Sequence, residues 1–498
     1  MEVIYRSFVT LIADPSLWLV MVAAVPMGMI FGAVPGLGGK LGIVLSIPLV
    51  FGMDMVPGCV FLVAMHSVVH TGGSIPSILL GIPGTGPDAA TVCDGHPMAR
   101  RGEGGRALGA SLAASAVGGV FGAVFLAALM PIVQPTVLAF GPAESFFLAL
   151  LGITFIGAVS GDDVVKGVLV GALGLMLSFV GAEQQTGMPR FGMGQIFLWD
   201  GIDVITAVLA IFAIPECLAL ATNPTMSSVA TGAGRYRLSE LMDGVADVGR
   251  HWGLTLRTSF IGAVIGLIPG LGGDVASWMC YAHAVQTSRT PERFGTGAVE
   301  GVIGPEAANN SKEGGALLPT LFFGIPGSSG MVLMLGAFIV LGVQPGPSMA
   351  REHLDLVWIL IWTLVIANLL AAIMFFLVGR WLALVVHLRG GLLVPFILLL
   401  SCMGAYLGGG SWENLLLLVA LGVLGCAFKH CDWPRAPFVI GMILGPIMEL
   451  SLHQSLAIWG MGFVFRPVAF SLAMATLITV VVSLRRARSK KGDVGAIA

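Results

Sequence analysis

Charged side chains are scarce in this sequence: 25 Lys and Arg and 27 Asp and Glu among 498 residues, or 10%. A soluble domain carries about 25%, so a large water-facing surface could not be coated and a soluble enzyme of this length is excluded. A disordered chain is excluded too, because such chains are poor in apolar residues and here these reach 56%, with mean hydropathy +0.94. With a formal net charge of −2 there is no broad basic surface for nucleic acid. The seven Cys lack CxxC spacing, and Cys59, Cys217, Cys280, Cys402 and Cys426 stand in apolar runs. They read as small buried residues, neither metal ligands nor a disulfide framework. What remains is a polytopic membrane protein whose apolar runs cross the bilayer core.

Gly (70) and Pro (27) are abundant, about one residue in five. Broken backbone is tolerated at membrane depth only inside protein or beside a water-filled cavity. The N-terminus does not read as a cleaved signal peptide, since the apolar run from Trp18 leads straight into Pro35-Gly36-Leu37-Gly38-Gly39. Further apolar segments lie near 55–69, 107–131, 134–160, 164–182 and 201–221, and a second series near 258–268, 331–343, 355–379, 392–407, 414–427, 437–460 and 468–484. The expected fold is all-α, with roughly a dozen transmembrane helices, some broken or re-entrant. A polar interval at 222–257, with Arg235, Arg237, Glu240, Asp243, Asp247, Arg250 and Arg257, joins two halves. A basic tail at 485–498 follows. The positive-inside rule places both in the cytoplasm.

The chain repeats itself. Phe31-Gly-Ala-Val-Pro35-Gly36-Leu-Gly38-Gly39 returns 234 residues later as Ile265-Gly-Leu-Ile-Pro269-Gly270-Leu-Gly272-Gly273. Gly72-Gly73-Ser-Ile-Pro76 through Gly81-Ile82-Pro83-Gly84 returns as Gly314-Gly315-Ala-Leu-Leu-Pro319 through Gly324-Ile325-Pro326-Gly327, at an offset of 243 from the proline onward and 242 at the paired glycines. The expected division is therefore a first transmembrane repeat at 1–221, the joint at 222–257, a second repeat at 258–484, inverted relative to the first, and the tail. Paired Gly/Pro-interrupted segments in two halves point to the binding site of a secondary transporter. Broken helices expose N–H groups suited to an anion and C=O groups suited to a cation. Helix-packing glycines are the bland alternative, but packing does not require Pro-Gly-Leu-Gly-Gly twice.

Competing motifs fail. The residue six before Lys40 is Val34 and Leu41 follows it, so there is no Walker A loop. Gly327-Ser328-Ser329-Gly330 matches a GxSG protease string, but its counterpart Gly84-Thr85-Gly86-Pro87 has no Ser. His66 and His70 share a helix face, yet a zinc site needs a third ligand and their segment offers no carboxylate. They read as buried hydrogen-bonded histidines, with a polar-lining or proton-relay role as the alternative. Glu300, Glu306 and Glu313, with Asn309 and Asn310 between them, are costly in apolar surroundings and mark a pathway, unless the segment simply reaches the hydrated interface. Their oxygens suit a coupling cation. Lys312 could pair with a Glu or meet a substrate carboxylate.

Together, Pro269–Gly273, Tyr281, Phe294-Gly295-Thr-Gly297-Ala-Val-Glu300, Pro305-Glu306-Ala-Ala-Asn309-Asn310 and Gly324–Gly327 resemble the large membrane subunit of tripartite tricarboxylate transporters, the TctA family. So do Ile82–Thr85, Ala89-Ala90-Thr91 and Asp94-Gly95-His-Pro97-Met98-Ala99 in the first half. Ser311-Lys312-Glu313 departs from the small or weakly polar residues expected there. The resemblance implies a secondary-active carboxylate importer in the bacterial inner membrane, driven by Na⁺ or H⁺ and without another cofactor. It also implies a small membrane subunit (TctB-like) and a periplasmic solute-binding protein (TctC-like) as partners. The expected site is lined by Pro35, Gly36, Gly38 and Gly39; by Gly81, Pro83, Gly84, Thr85 and Thr91; and by Pro269, Gly270, Gly272 and Gly273. Glu306, Asn309, Asn310, Gly324, Pro326, Gly327, Ser328 and Ser329 complete it. A stand-alone permease or channel for organic anions is the alternative.

Overall fold

The computed structural model describes residues 2–34, 37–159, 164–183, 185–222, 237–385 and 390–495. Pro35, Gly36 and the 223–236 part of the expected joint lie outside them. The first series of helices is α1 (Glu2–Ala13), α2 (Pro15–Ala33), α3 (Gly38–Val50), α4 (Met55–Leu80), α5 (Ala89–Arg100), α6 (Gly104–Leu138), α7 (Pro142–Val159) and α8 (Val164–Ser178). A small antiparallel pair, β1 (Gly181–Ala182) and β2 (Pro189–Arg190), precedes α9 (Val204–Val208), which runs through a π turn at Leu209–Ala213 into α10 (Ile214–Thr222). The second series is α11 (Leu238–Arg250), α12 (Trp252–Leu267), α13 (Gly272–Thr287), α14 (Glu300–Phe323), α15 (Ser329–Val340), α16 (Pro347–Arg351) and α17 (Leu354–Val385). The last helices are α18 (Gly390–Gly409), α19 (Glu413–His430), α20 (Ala436–Trp459) and α21 (Pro467–Gly495).

Among the described residues, seven helices are long and apolar enough to cross a membrane, and seven shorter apolar helices accompany them. The sequence expectation of roughly a dozen spans falls between the seven long helices and the two sets of seven taken together. Three details differ from the sequence reading. The interval expected to be a polar connection is helical from Leu238, because Leu241, Gly244 and Val248 recur at helical spacing and bury one face of α11. Helix α6 continues through Pro131 and Pro135 instead of stopping between apolar segments. Cys402, expected to be buried, is exposed.

The largest difference concerns α14. Its Glu, Asn and Lys residues lower its hydropathy enough to hide it among the apolar segments, yet every residue from Gly301 to Phe322 is buried. A hydrated interfacial segment is thereby excluded. Helix α14 is the central element, packed by α6 on one side and α12 on another. Glycines allow this closeness. Gly118 and Gly122 of α6 lie against the carbonyls of Ala307 and Ser311, Gly262 and Gly266 of α12 against those of Ala308 and Lys312, and Gly314 against the backbone of Gly122.

The same packing occurs twice. Helix α2 packs on α4 as α12 packs on α14, and α4 meets α17 as α14 meets α6. The short amphipathic helices match as well. Helix α1 lies on α17, tied by an Arg6–Asp355 ion pair and by Ser7 Oγ donating to the Asp355 carbonyl at 3.2 Å. Helix α11 lies on α6, tied by Arg106 to Asp247 at 2.6 Å.

Overpacking a close backbone contact costs about 1–3 kcal/mol or more. Gly314→Val is therefore expected to lower the thermal midpoint in detergent sharply or to prevent insertion. Gly253→Ala, with nothing within 4 Å of the added carbon, leaves the midpoint unchanged or slightly raised. Equal midpoints for the two variants would contradict the close-packed seam.

Candidate functional site

Helix α4 ends at Gly81 and α14 at Gly324, and both glycines are left-handed, with φ of 70° and 65°. That conformation favours Gly because it has no Cβ. Each glycine N–H returns to a proline carbonyl, Pro76 and Pro319 respectively. The turns that follow are pinned alike, Gly84 N–H donating to Ser77 Oγ at 3.3 Å and Gly327 N–H to Thr320 Oγ1 at 3.4 Å. A second matched pair, Gly38 and Gly272, takes φ of 63° and 64° at the starts of α3 and α13.

These turns enclose a cavity of about 900 Å³. Leu37–Leu41 and Gly270–Val275 line it with Ile82–Pro87, Pro326 and Ser328–Gly330, and His66, His70 and Lys312 add side chains. Glu216, Arg435, Phe212 and Trp433 lie on another wall. The first residues of α3, α5, α13 and α15 all lie at the cavity. The first four N–H groups of a helix have no intrahelical partner and carry the positive end of its dipole. Four such ends, together with Lys40, Lys312 and Arg435, give the cavity an anion-attracting lining. Glu216, Asp274 and Glu313, the last through its pair with Lys312, answer the three basic side chains in number, so the helix ends supply the unanswered positive potential. Arg435 is held by Glu216 at 2.8 Å, and Lys429 supports the same carboxylate at 2.6 Å.

Of the residues expected at the site, Gly38, Gly39, Pro83, Gly84, Thr85, Gly270, Gly272, Gly273, Pro326, Ser328 and Ser329 line this cavity. Gly81, Gly324 and Gly327 shape its turns from behind, and Pro269 precedes one of them. Pro35 and Gly36 lie outside the described residues. Ser328 Oγ accepts from the Met331 N–H at 3.2 Å and so caps α15. The remaining candidates form a buried network behind the wall. Glu306 accepts from Thr91 Oγ1 at 2.6 Å and from Ser115 Oγ at 3.0 Å. Asn310 Nδ2 donates to Thr71 Oγ1 at 3.0 Å and to Asn368 Oδ1 at 2.7 Å, joining α4, α14 and α17. Asn309 Nδ2 donates to Asp88 Oδ1 at 3.0 Å, while Asp88 Oδ2 accepts from the N–H and hydroxyl of Thr85 at 2.8 and 2.6 Å.

Glu300 sits apart, half-buried at the start of α14, with His251 Nε2 at 3.4 Å. At the opposite edge, Asp94 accepts from the N–H groups of Gly297 and Ala298, both at 2.8 Å, and from the Tyr281 hydroxyl at 2.9 Å. That clamp accounts for Asp94 and Tyr281 as fold-holding residues of the motif.

Lys40, Asp274, Glu216 and Arg435 also line the cavity without having been expected there, and so do Lys312, His66 and His70, for which the sequence offered a lining role only as an alternative. A signal existed for two of them: Lys40 and Asp274 stand 234 residues apart, at the same place in the repeated block. The carboxylate that the two histidines lack in their own segment is Glu313, 243 residues beyond His70. His70 Nε2 is 3.0 Å from Glu313 Oε1, and His66 Nε2 is 3.4 Å from Glu313 Oε2. Lys312 Nζ stands 3.2 Å from His70 Nε2 and pairs with the same Glu313 oxygen. The point where the three side chains converge is thus held by an ammonium group.

The family model for the tripartite tricarboxylate transporter TctA family matches residues 18–440. The chain belongs to the TctA family. It is also similar to "Uncharacterized 52.8 kDa protein in TAR-I ttuC' 3'region" of Agrobacterium vitis, at 32% identity over 94% of this chain and 93% of that one. A second Agrobacterium vitis protein, "Uncharacterized protein in TAR-II ttuC' 3'region", is 33% identical over 47% of this chain and 98% of its own length. No solved structure matches. A TctA family member with this many apolar helices is a multi-pass membrane protein of a transporter family, and the cavity is its candidate site.

Two buried carboxylates separate by what surrounds them. Both Glu306 oxygens face hydroxyls, which can rotate to accept, so Glu306→Gln is expected to cost less than about 1 kcal/mol. Asp88 accepts from a backbone N–H that cannot reverse its role. Asp88→Ala is expected to cost about 2–3 kcal/mol by orphaning that group and Asn309. Thermal midpoints in one detergent check both, and a larger loss for the Glu306 variant would refute this reading.

Proposed function

We propose that the chain is the large permease subunit of a binding-protein-dependent tripartite importer of carboxylates, tricarboxylates or related organic acids. Transport is secondary-active, coupled to Na⁺ or H⁺. The observation that carries the reading is the cavity itself, where four helix N-termini and three basic side chains converge. Such a lining favours a multiply charged anion at modest desolvation cost, because backbone N–H groups bring no counterion of their own. Membership of the TctA family supports the same substrate class.

The mechanism we infer is alternating access between two inverted repeats around this cavity. The matched hinges at Gly81 and Gly324, the matched starts at Gly38 and Gly272, and the twofold packing of α1, α2, α4 and α17 against α11, α12, α14 and α6 support it. Broken segments near the midplane would supply the substrate contacts, as in other repeat-built carriers. Thr85, Ser328 and Ser329 offer polar atoms at the turns, and Asn309 and Asn310 fix the wall behind. The partners are a small TctB-like membrane subunit and a TctC-like periplasmic binding protein that delivers substrate. The location is the bacterial inner membrane, with the basic C-terminal tail on the cytoplasmic side.

Uptake of labelled citrate and a panel of di- and tricarboxylates into vesicles holding all three components tests this. Omitting the binding protein should reduce uptake strongly; undiminished uptake would favour a stand-alone permease. Loss of a charged hydrogen-bond partner costs about 1.5–3 kcal/mol. Lys40→Gln is therefore expected to raise the half-saturating concentration roughly tenfold or more. Gly327→Leu should insert but transport nothing, and wild-type rates in both variants would remove the cavity from the mechanism.

A further inference from the structure

We infer that the coupling ion of this chain is a proton, bound at the contact between His70 and Glu313, and that the Lys312 ammonium stands in for a coupling sodium. This rests on the importer reading above and names its ion.

Register comes first. Gly28 and Gly32 lie on the carbonyls of Met65 and Val69 as Gly262 and Gly266 lie on those of Ala308 and Lys312, so the offset along these helices is 243. His66 and His70 of α4 therefore correspond to Asn309 and Glu313 of α14, which packs on α4. Lys312 corresponds to Val69, so a cation was placed on one side of the seam alone. Lys312 and Glu313 are buried, at 2% and 1% exposure.

The hydrogen bonds then fix the protons. Thr85 donates its hydroxyl proton to Asp88 Oδ2. Its oxygen, 3.1 Å from His70 Nδ1, is therefore an acceptor, and Nδ1 carries the hydrogen. His70 Nε2 is left facing Glu313 Oε1 at 3.0 Å. With both unprotonated, the Lys312 ammonium, 3.2 Å from Nε2 and paired with the same Oε1, is the donor that keeps the nitrogen lone pair and the carboxylate apart. A proton between Nε2 and Oε1 takes over that role and leaves the ammonium free to turn toward the cavity. His66 stands beside this contact with neither ring nitrogen hydrogen-bonded, its Nε2 near the unsatisfied Glu313 Oε2.

Charge supplies the coupling. Without the proton, Lys312 and Glu313 balance. With it the cluster is +1, and Lys312 lines the cavity where a substrate carboxylate would arrive. Moving an uncompensated ion through a low-dielectric interior costs several kcal/mol. The proton therefore offsets one substrate carboxylate, and either of the two alone leaves the cluster with one more uncompensated charge. A sodium ion would need oxygen ligands at a point already holding three ammonium donors.

Other charges facing the cluster are Lys40 from α3, Asp274 from α13, Asp88 from the 85–88 turn, and Glu216 with Arg435 from the far cavity wall. Asp94 of α5 is engaged by the 297–298 amides. Helices α6, α12 and α17 meet this stretch of α14 through Gly122, Gly266 and Asn368.

The test uses the complete three-component system in vesicles, with labelled citrate and the carboxylate panel and with membrane potential clamped. An inward proton gradient without sodium should drive accumulation, limited to about tenfold per pH unit for each coupled proton. A sodium gradient without a pH gradient should drive none. His70→Gln and Glu313→Gln should still equilibrate the substrate across the membrane, more slowly, but lose concentrative uptake in the pH gradient. Thermal midpoints separate this from misfolding. Sodium-driven accumulation at collapsed pH gradient, or undiminished proton-driven accumulation by Glu313→Gln, overturns the proposal while leaving the importer reading intact. Absence of any carboxylate movement under either gradient overturns both.

Discussion

Inside an apolar slab every backbone polar group must be paired or must face water, and the architecture of this chain follows from that constraint. Helices α4 and α14 both stop within the protein, at Gly81 and Gly324. Their last carbonyls are closed by left-handed caps, and the turns beyond them by Ser77 and Thr320. The helices that restart, α5 and α15, cannot close their first N–H groups in the same way. Together with the starts of α3 and α13 these groups are gathered around one cavity, where water or an anion can satisfy them. The long helices α6 and α17 then brace α14 and α4 from outside. They approach closely because glycines such as Gly118 and Gly122 leave backbone room.

The second constraint is electrostatic. Burying carboxylates on α14 is tolerable only when their oxygens are answered. Each Glu306 oxygen is answered, one by Thr91 from α5 and the other by Ser115 from α6, so the residue joins three helices. Glu313 differs. One oxygen meets Lys312 and His70, while the other has no hydrogen bond. An incompletely answered buried group lies close to an alternative state, whereas a complete network rigidifies. The two glutamates are thus told apart by their neighbours, although the sequence presents them as equals.

Much of the cavity was legible in the sequence because it is made of backbone. Gly, Pro and small hydroxyl residues in two self-similar blocks announce helix ends, and eleven of the residues read from them line the cavity. What stayed hidden depends on distance along the chain. His66 and His70 looked incomplete because their carboxylate stands 243 residues away. Helix α14 was overlooked because hydropathy averages over a window and cannot know that Glu306 finds Thr91 and Ser115. Arg435 and Glu216 stood out as charges among apolar residues, but nothing local says that they face the turn at Lys40. The amphipathic helix α11 was legible in its spacing and was obscured by counting its charges alone.

The two halves make the same shape but not the same chemistry, and the differences fall at matching positions. Lys40 is matched by Asp274, His66 by Asn309, His70 by Glu313 and Val69 by Lys312. Identical halves would place like charges opposite one another across the seam, two lysines on the cavity wall or two glutamates on the packed helices. Such pairs repel in a low-dielectric interior, and complementary substitution removes the repulsion while the glycine and proline framework stays fixed. It also makes the seam directional. An imidazole on α4 meets a carboxylate on α14, and a cation on one side meets none on the other. In the alternating-access mechanism proposed above, a symmetric frame would tilt either way at equal cost, so any preference for a loaded state would come from residues that break the symmetry. His70, Lys312 and Glu313 are among the buried residues that do so with charge, as is Glu306, which matches Val63.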